Sequence, residues 1–129
     1  VTVWISQLHN EDRLAGTLAN LSRGPNPALI QFYTAPRPAG GGATTTLLAT
    51  VTLDDPAGTV VGNKLVLSEP SDALVLADGT PTWARIVNGD GNASMDVDVS
   101  NMAGSGEIKL ETVNLLAGGG IRIILAEFG

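Results

Sequence analysis

The sequence predicts a mainly β fold: an antiparallel β-sandwich or jelly-roll of about eight strands, with an N-terminal extended arm and one amphipathic helix. Three observations carry this expectation. Short runs rich in β-branched residues recur between turn residues across 28–126, the spacing of a sandwich or barrel. Most of the 16 glycines and 7 prolines fall between those runs. No strand–helix–strand alternation occurs, which argues against a parallel α/β sheet. The 129 residues fit one domain, read as an arm over 1–9, a helix over 11–22 and a β-sandwich over 28–126.

Each element has a local reason. Val1, Val3 and Ile5 alternate with Thr2, Trp4 and Ser6, the period of an extended arm. Asn10 is placed to cap a helix, with Glu11 and Asp12 at the positive end of its dipole. Leu14, Ala15, Leu18 and Leu21 then form an apolar stripe, and Gly24-Pro25 ends the helix. Strands are expected at Ala28–Thr34, Leu47–Leu53, Lys64–Ser68, Ala73–Leu76 and Thr82–Val87. Asn88-Gly-Asp-Gly-Asn reads as a hairpin turn, because Asn and Gly tolerate positive φ. In the next strand Met95, Val97 and Val99 share one face, and Ser94, Asp96 and Asp98 the other. Two more follow, with Ile108 and Leu110 inward, then Ile121, Ile123 and Leu125 inward.

Composition excludes several function classes. The net charge is −6 and the seven basic residues are scattered singly, so no basic patch for nucleic acid or anionic membranes is expected. Without cysteine there is no disulfide, thiolate metal site or cysteine nucleophile. No apolar run reaches the ~18 residues of a membrane span, and Val1-Thr-Val-Trp-Ile lacks the pattern of a signal peptide. The sequence therefore reads as that of a soluble protein.

The candidates for chemistry are few. His9 is the single histidine, lies at the junction of arm and helix, and has no serine motif beside it. Asp96 and Asp98 share a strand face roughly 7 Å apart, near the separation of an inverting glycosidase pair. Their alternation with apolar residues reads instead as a solvated face that resists edge pairing. The Asn88 turn partly matches a calcium loop, but position 12 counted from Asn88 is Val99 and the flanks are strands. Gly118-Gly-Gly precedes a strand, so no helix N-terminus waits for a phosphate. Trp83 reads as core, and Trp4 as an anchor for a partner surface. No catalytic, cofactor-binding or metal-ligating residue is expected, and the chain is not read as an enzyme.

The order of several segments resembles a group of small tailed-bacteriophage virion proteins. These segments are Phe32-Tyr-Thr-Ala-Pro-Arg-Pro, Thr46-Leu-Leu-Ala-Thr-Val-Thr-Leu, Pro56-Ala, Gly79-Thr-Pro-Thr-Trp-Ala-Arg-Ile-Val-Asn-Gly-Asp-Gly, Met95-Asp-Val-Asp-Val, Gly106-Glu-Ile-Lys-Leu and Leu116-Ala-Gly-Gly-Gly-Ile-Arg-Ile. The pattern departs at Ala35, where the group usually has Gly, and over Val61 to Leu76. The resemblance implies a β-sandwich or jelly-roll structural protein that cements or decorates the capsid. It is then made in the host cytoplasm and resides on the capsid surface. Its partners are the major capsid protein and further copies of itself, as a dimer or trimer. The residues expected at the interface are Val1, Val3, Trp4 and Ile5 of the arm, with Arg37 from the Pro36-Arg-Pro loop. Two alternatives stand beside this: a tail- or baseplate-associated adaptor, and a carbohydrate- or cation-binding β-module using Asp90, Asn92, Asp96 or Asp98.

Overall fold

In the computed structural model, which describes residues 3–68 and 73–129, the single α-helix, α1, spans Gln7–Leu21. Ser6 is extended (φ −71°, ψ 162°) and its hydroxyl accepts the His9 N–H at 3.1 Å. The cap is therefore Ser6 and not Asn10, and the helix starts four residues before the expected 11. The Asn10-Glu-Asp signal is overridden because a competent cap lies upstream and no helix breaker separates the two. Asn10 instead donates its amide to Asn63 Oδ1 at 3.3 Å, and Gln7 donates to Glu11 at 2.7 Å. Leu14 and Leu21 are buried and Leu18 partly so, whereas Ala15 is exposed. The stripe is thus narrower than its spacing implied. Ser22 closes the helix by donating to Leu18 O at 3.1 Å.

Ten strands follow. They are β1 Leu29–Tyr33, β2 Leu47–Thr52, β3 Gly58–Val61, β4 Lys64–Leu67, β5 Ala73–Leu74, β6 Trp83–Val87, β7 Ala93–Asn101, β8 Ile108–Leu110, β9 Gly120–Ile121 and β10 Ile123–Phe128. Eight join one sheet in the order β2-β1-β6-β7-β8-β10-β4-β3, and β5 pairs with β9. The protein is mainly β, as expected. The large sheet curls strongly into a half barrel, so its concave side holds the core. Leu14 and Leu21 of α1 join a cluster built from Ile30, Phe32, Ile86, Val97, Ile108 and Leu65.

The sheet is mixed, which corrects the purely antiparallel expectation. β7 and β8 run parallel, with Val99 opposite Ile108. Parallel neighbours usually need a crossover of a dozen or more residues; here residues 102–107 suffice because they fold back on β7. Asn101 Oδ1 accepts the Ala103 and Gly104 N–H groups, and Ser100 Oγ accepts that of Gly106. A Cβ on Gly106 would lie 2.7 Å from Ser100 N, so only glycine permits this return.

Two further differences have local causes. β3 lies in a stretch with no expected strand, and joins β4 through Gly62 (φ 53°) and Asn63 (φ 66°). That pair of left-handed residues matches a type I′ hairpin turn, and Gly-Asn between short apolar runs is the signal that identifies it. The last strand is interrupted at Arg122, and its register against β8 shifts between Ile123 and Leu125. Ile121 and Ile123 remain inward, but the shift leaves Leu125 half-buried and turns Ala126 into the core.

The β2 edge of the sheet is not bare. Ala49 bridges Val75, and Leu76 donates its N–H to Leu48 O at 2.7 Å. Val75 in turn exchanges backbone bonds with Gly118 and Gly119. Segments 73–76 and 118–121 thus form a clasp along β2, and the second of them runs directly into β10.

Candidate functional site

Three surfaces carry the residues of interest. The first is the arm. Val3 is 77% exposed and Trp4 84%. Ile5 is half-buried, and Leu8 in the first helical turn is exposed again. Val1 and Thr2 lie outside the described residues. The segment from Val3 to Ile5 is not part of any strand. A tryptophan held in water forgoes a large burial gain.

The second surface is the convex face of β1, β6 and β7. Register places Gln31, Arg85 and Asp96 in one row, and Tyr33, Trp83 and Asp98 in the next. Tyr33 and Trp83 stack with centroids 4.7 Å apart, and the Arg85 guanidinium sits 5.4 Å from the Trp83 ring centre. Residues 34–46 fold over this row. Trp83 Nε1 donates to Thr34 O at 2.8 Å, and Arg85 Nη2 donates to Gly42 O at 3.0 Å. Trp83 is buried as expected, but beneath this loop on the convex face and outside the main core cluster.

Arg85 and Asp96 form a two-point pair, at 2.8 Å and 3.0 Å, with side chains only 11% and 13% exposed. The hydrogen bond that Arg85 donates to Asp96 raises the Arg85 pKa above its ordinary value, against the opposing effect of burial. Asp96 is therefore not the solvated acid that strand alternation implied. Asp98 is, at 57% exposed, and it pairs with Arg37 at 3.2 Å. Arg37 thus belongs to the convex face, and among the described residues no hydrogen bond or ion pair joins it to the arm. The two carboxylates face different cations, and neither is positioned to share a proton with the other. The missed residues, Tyr33, Gln31 and Arg85, were findable in part: Trp83-Ala-Arg-Ile-Val has Trp83 and Arg85 two apart, which fixes them on one face.

The third surface is a groove of about 700 Å³ between α1 and the turn at 88–92. Arg13, Thr17 and Asn20 line one wall, Asp90 and Asn92 the other, and Arg23 also borders it. Ser94 donates to Asn20 Oδ1 at 2.6 Å and ties the walls together. The base is rigid. Asn88 is buried and its Oδ1 accepts the N–H groups of Asp90 and Asn92, both at 3.1 Å. Its oxygen is thereby committed to the turn. Gly24 (φ 89°) packs so close to Gly89 and Asp90 that a Cβ would overlap their backbone.

His9 is exposed on the first turn of α1, and its N–H is used by the Ser6 cap. Among the described residues no three His, Cys, Asp or Glu side chains converge to hold a metal ion. No helix among them is long and apolar enough to cross a membrane. No family model, curated protein or solved structure is detectably similar to the chain.

Proposed function

We propose that the chain is a non-enzymatic structural protein of a tailed-bacteriophage virion, a cement or decoration protein that binds the major capsid protein at the shell surface. The observation that carries this reading is the arm, where Val3 and Trp4 stand in solvent beside the exposed Leu8 of the first turn of α1. The ordered segments from Phe32 to Ile123 that resemble small phage virion proteins support it. So does the economy of the polar chemistry: the best-formed acid–base pair, Arg85 with Asp96, is spent holding a loop against the sheet. A β-sandwich or jelly-roll relationship is part of this proposal; the half-barrel sheet is a curled form of the same layering principle. A cement protein multiplies modest contacts over a lattice, so a short anchored arm is enough at each site.

The test removes the anchor and spares the fold. Ser6 caps α1, so the informative variants are a deletion of residues 1–5 and the double substitution Val3→Ser with Trp4→Ser. Shells purified without the protein should take up the native chain and lose most of that uptake with either variant, while circular dichroism and thermal midpoint stay near native. Equal uptake by native and variant chains would sink the arm as the anchor. Counting copies on intact particles tests the location: a shell lattice implies on the order of hundreds, whereas a tail fitting implies small multiples of three.

A further inference from the structure

We infer that the groove between α1 and the 88–92 turn is a docking site for an acidic segment of a partner polypeptide. The charges single it out. Of the seven basic residues, Arg37, Lys64, Arg85 and Arg122 each pair with a carboxylate, and Lys109 donates to the Gly104 carbonyl. Arg13 and Arg23 have no acidic partner among the described residues, and both line this one groove. In a chain of net charge −6, these two arginines without a carboxylate partner among the described residues are thus gathered in one place, while Lys109 is held by a backbone carbonyl elsewhere.

The rest of the lining fits the same ligand. Asn20 spends its oxygen on Ser94, which leaves its NH₂ without a partner among the described residues, in the lining that also holds the two arginines. Carboxylates and backbone carbonyls are the acceptors such donors take. Asp90 on the opposite wall can accept an N–H from an extended backbone, and it repels a strand of phosphates. Gly24 packed against Gly89, and Asn88 bonded inside its turn, set the position of the Asp90 wall. From Arg13 to Leu21, the last residue of α1, the helix rises roughly 12 Å, with Arg23 just past its end, and an extended chain advances roughly 3.3 Å per residue. The matching ligand therefore carries acids four residues apart, which also places them on one side of the strand.

This inference is independent of the virion reading, since it concerns charge and shape alone. The test is a titration of the isotope-labelled full chain with the peptide Glu-Ser-Ser-Ser-Glu at low salt, followed by amide chemical shifts. Shifts should concentrate on Arg13, Thr17, Asn20, Arg23 and Asn92 and weaken as salt rises. The double variant Arg13→Gln, Arg23→Gln should bind roughly tenfold more weakly, as expected for two exposed ion pairs. Both arginines are exposed, so this variant keeps its fold, and the dispersion of its spectrum verifies that directly. Undetectable binding, shifts centred elsewhere, equal response to Lys-Ser-Ser-Ser-Lys, or undiminished binding by the double variant would each overturn the inference.

Discussion

At the scale of single residues, the Arg85–Asp96 pair is the least exposed ion pair among the described residues. Both side chains are nearly withdrawn from water, and the guanidinium also holds the Gly42 carbonyl. Removing one member of a buried pair leaves an uncompensated charge, at about 3–5 kcal/mol when burial is complete. Here residual exposure lowers the figure, so Asp96→Ala should cost about 2–4 kcal/mol in urea unfolding. Replacing both, as Arg85→Leu with Asp96→Leu, should cost less than the sum of the single losses, because no charge is stranded. Additive losses would show that the pair is not coupled. Since the folded Arg85 pKa is raised, its contribution is complete below the ordinary arginine pKa and is lost only above it. This cation should therefore add no pH dependence to stability through the neutral and mildly alkaline range. Alternation in the sequence places Asp96 and Asp98 on one face, and that is correct. Their different exposure is not legible there, because it depends on Arg85 from the neighbouring strand and on a loop some fifty residues earlier in the chain.

At the scale of elements, two turns decide local structure. Ser6→Ala should lower stability by about 1 kcal/mol through loss of the N-cap. Asn10→Ala, whose contact to Asn63 is long and exposed, should change it by less than ~0.5 kcal/mol. The reverse ranking in thermal or urea unfolding would mean that the helix starts where Asn10, Glu11 and Asp12 first indicate. Gly106→Ala tests the short parallel return from β7 to β8. The added Cβ would press on the β7 backbone, and about 1–3 kcal/mol should be lost, as in other overpacked interiors. The strands at Leu47, Trp83 and Met95 were legible because each joins β-branched or aromatic residues to a clear stop. β3 was hidden because Gly58 and Gly62 dilute a short run, although Gly62-Asn63 encodes its turn. The parallel pairing of β8 was hidden for a different reason: the hydrophobic period of a strand carries no information on its direction.

At the scale of the whole molecule, the clasp of residues 73–76 and 118–121 on β2 is what stops the curled sheet from presenting a long bare edge. An open edge offers unpaired N–H and C=O groups to other chains, and folded proteins cover such edges or shorten them. Leu76 allows a clean test, because its side chain is 58% exposed while its N–H is held by Leu48 O. Leu76→Pro deletes that donor and leaves a buried carbonyl unpaired, a loss of about 1–3 kcal/mol. Leu76→Ser keeps the donor and should remain within about 0.5 kcal/mol of the native chain. In hydrogen exchange the proline variant should release the amides of β2 earlier than those of β6, since only β2 loses its cover. It should also self-associate at concentrations where the serine variant stays monodisperse by sedimentation. If instead all strands open together and both variants remain monodisperse, the clasp is not an edge guard. The half barrel would then be held by its concave core alone, through Phe32, Ile86 and Ile108.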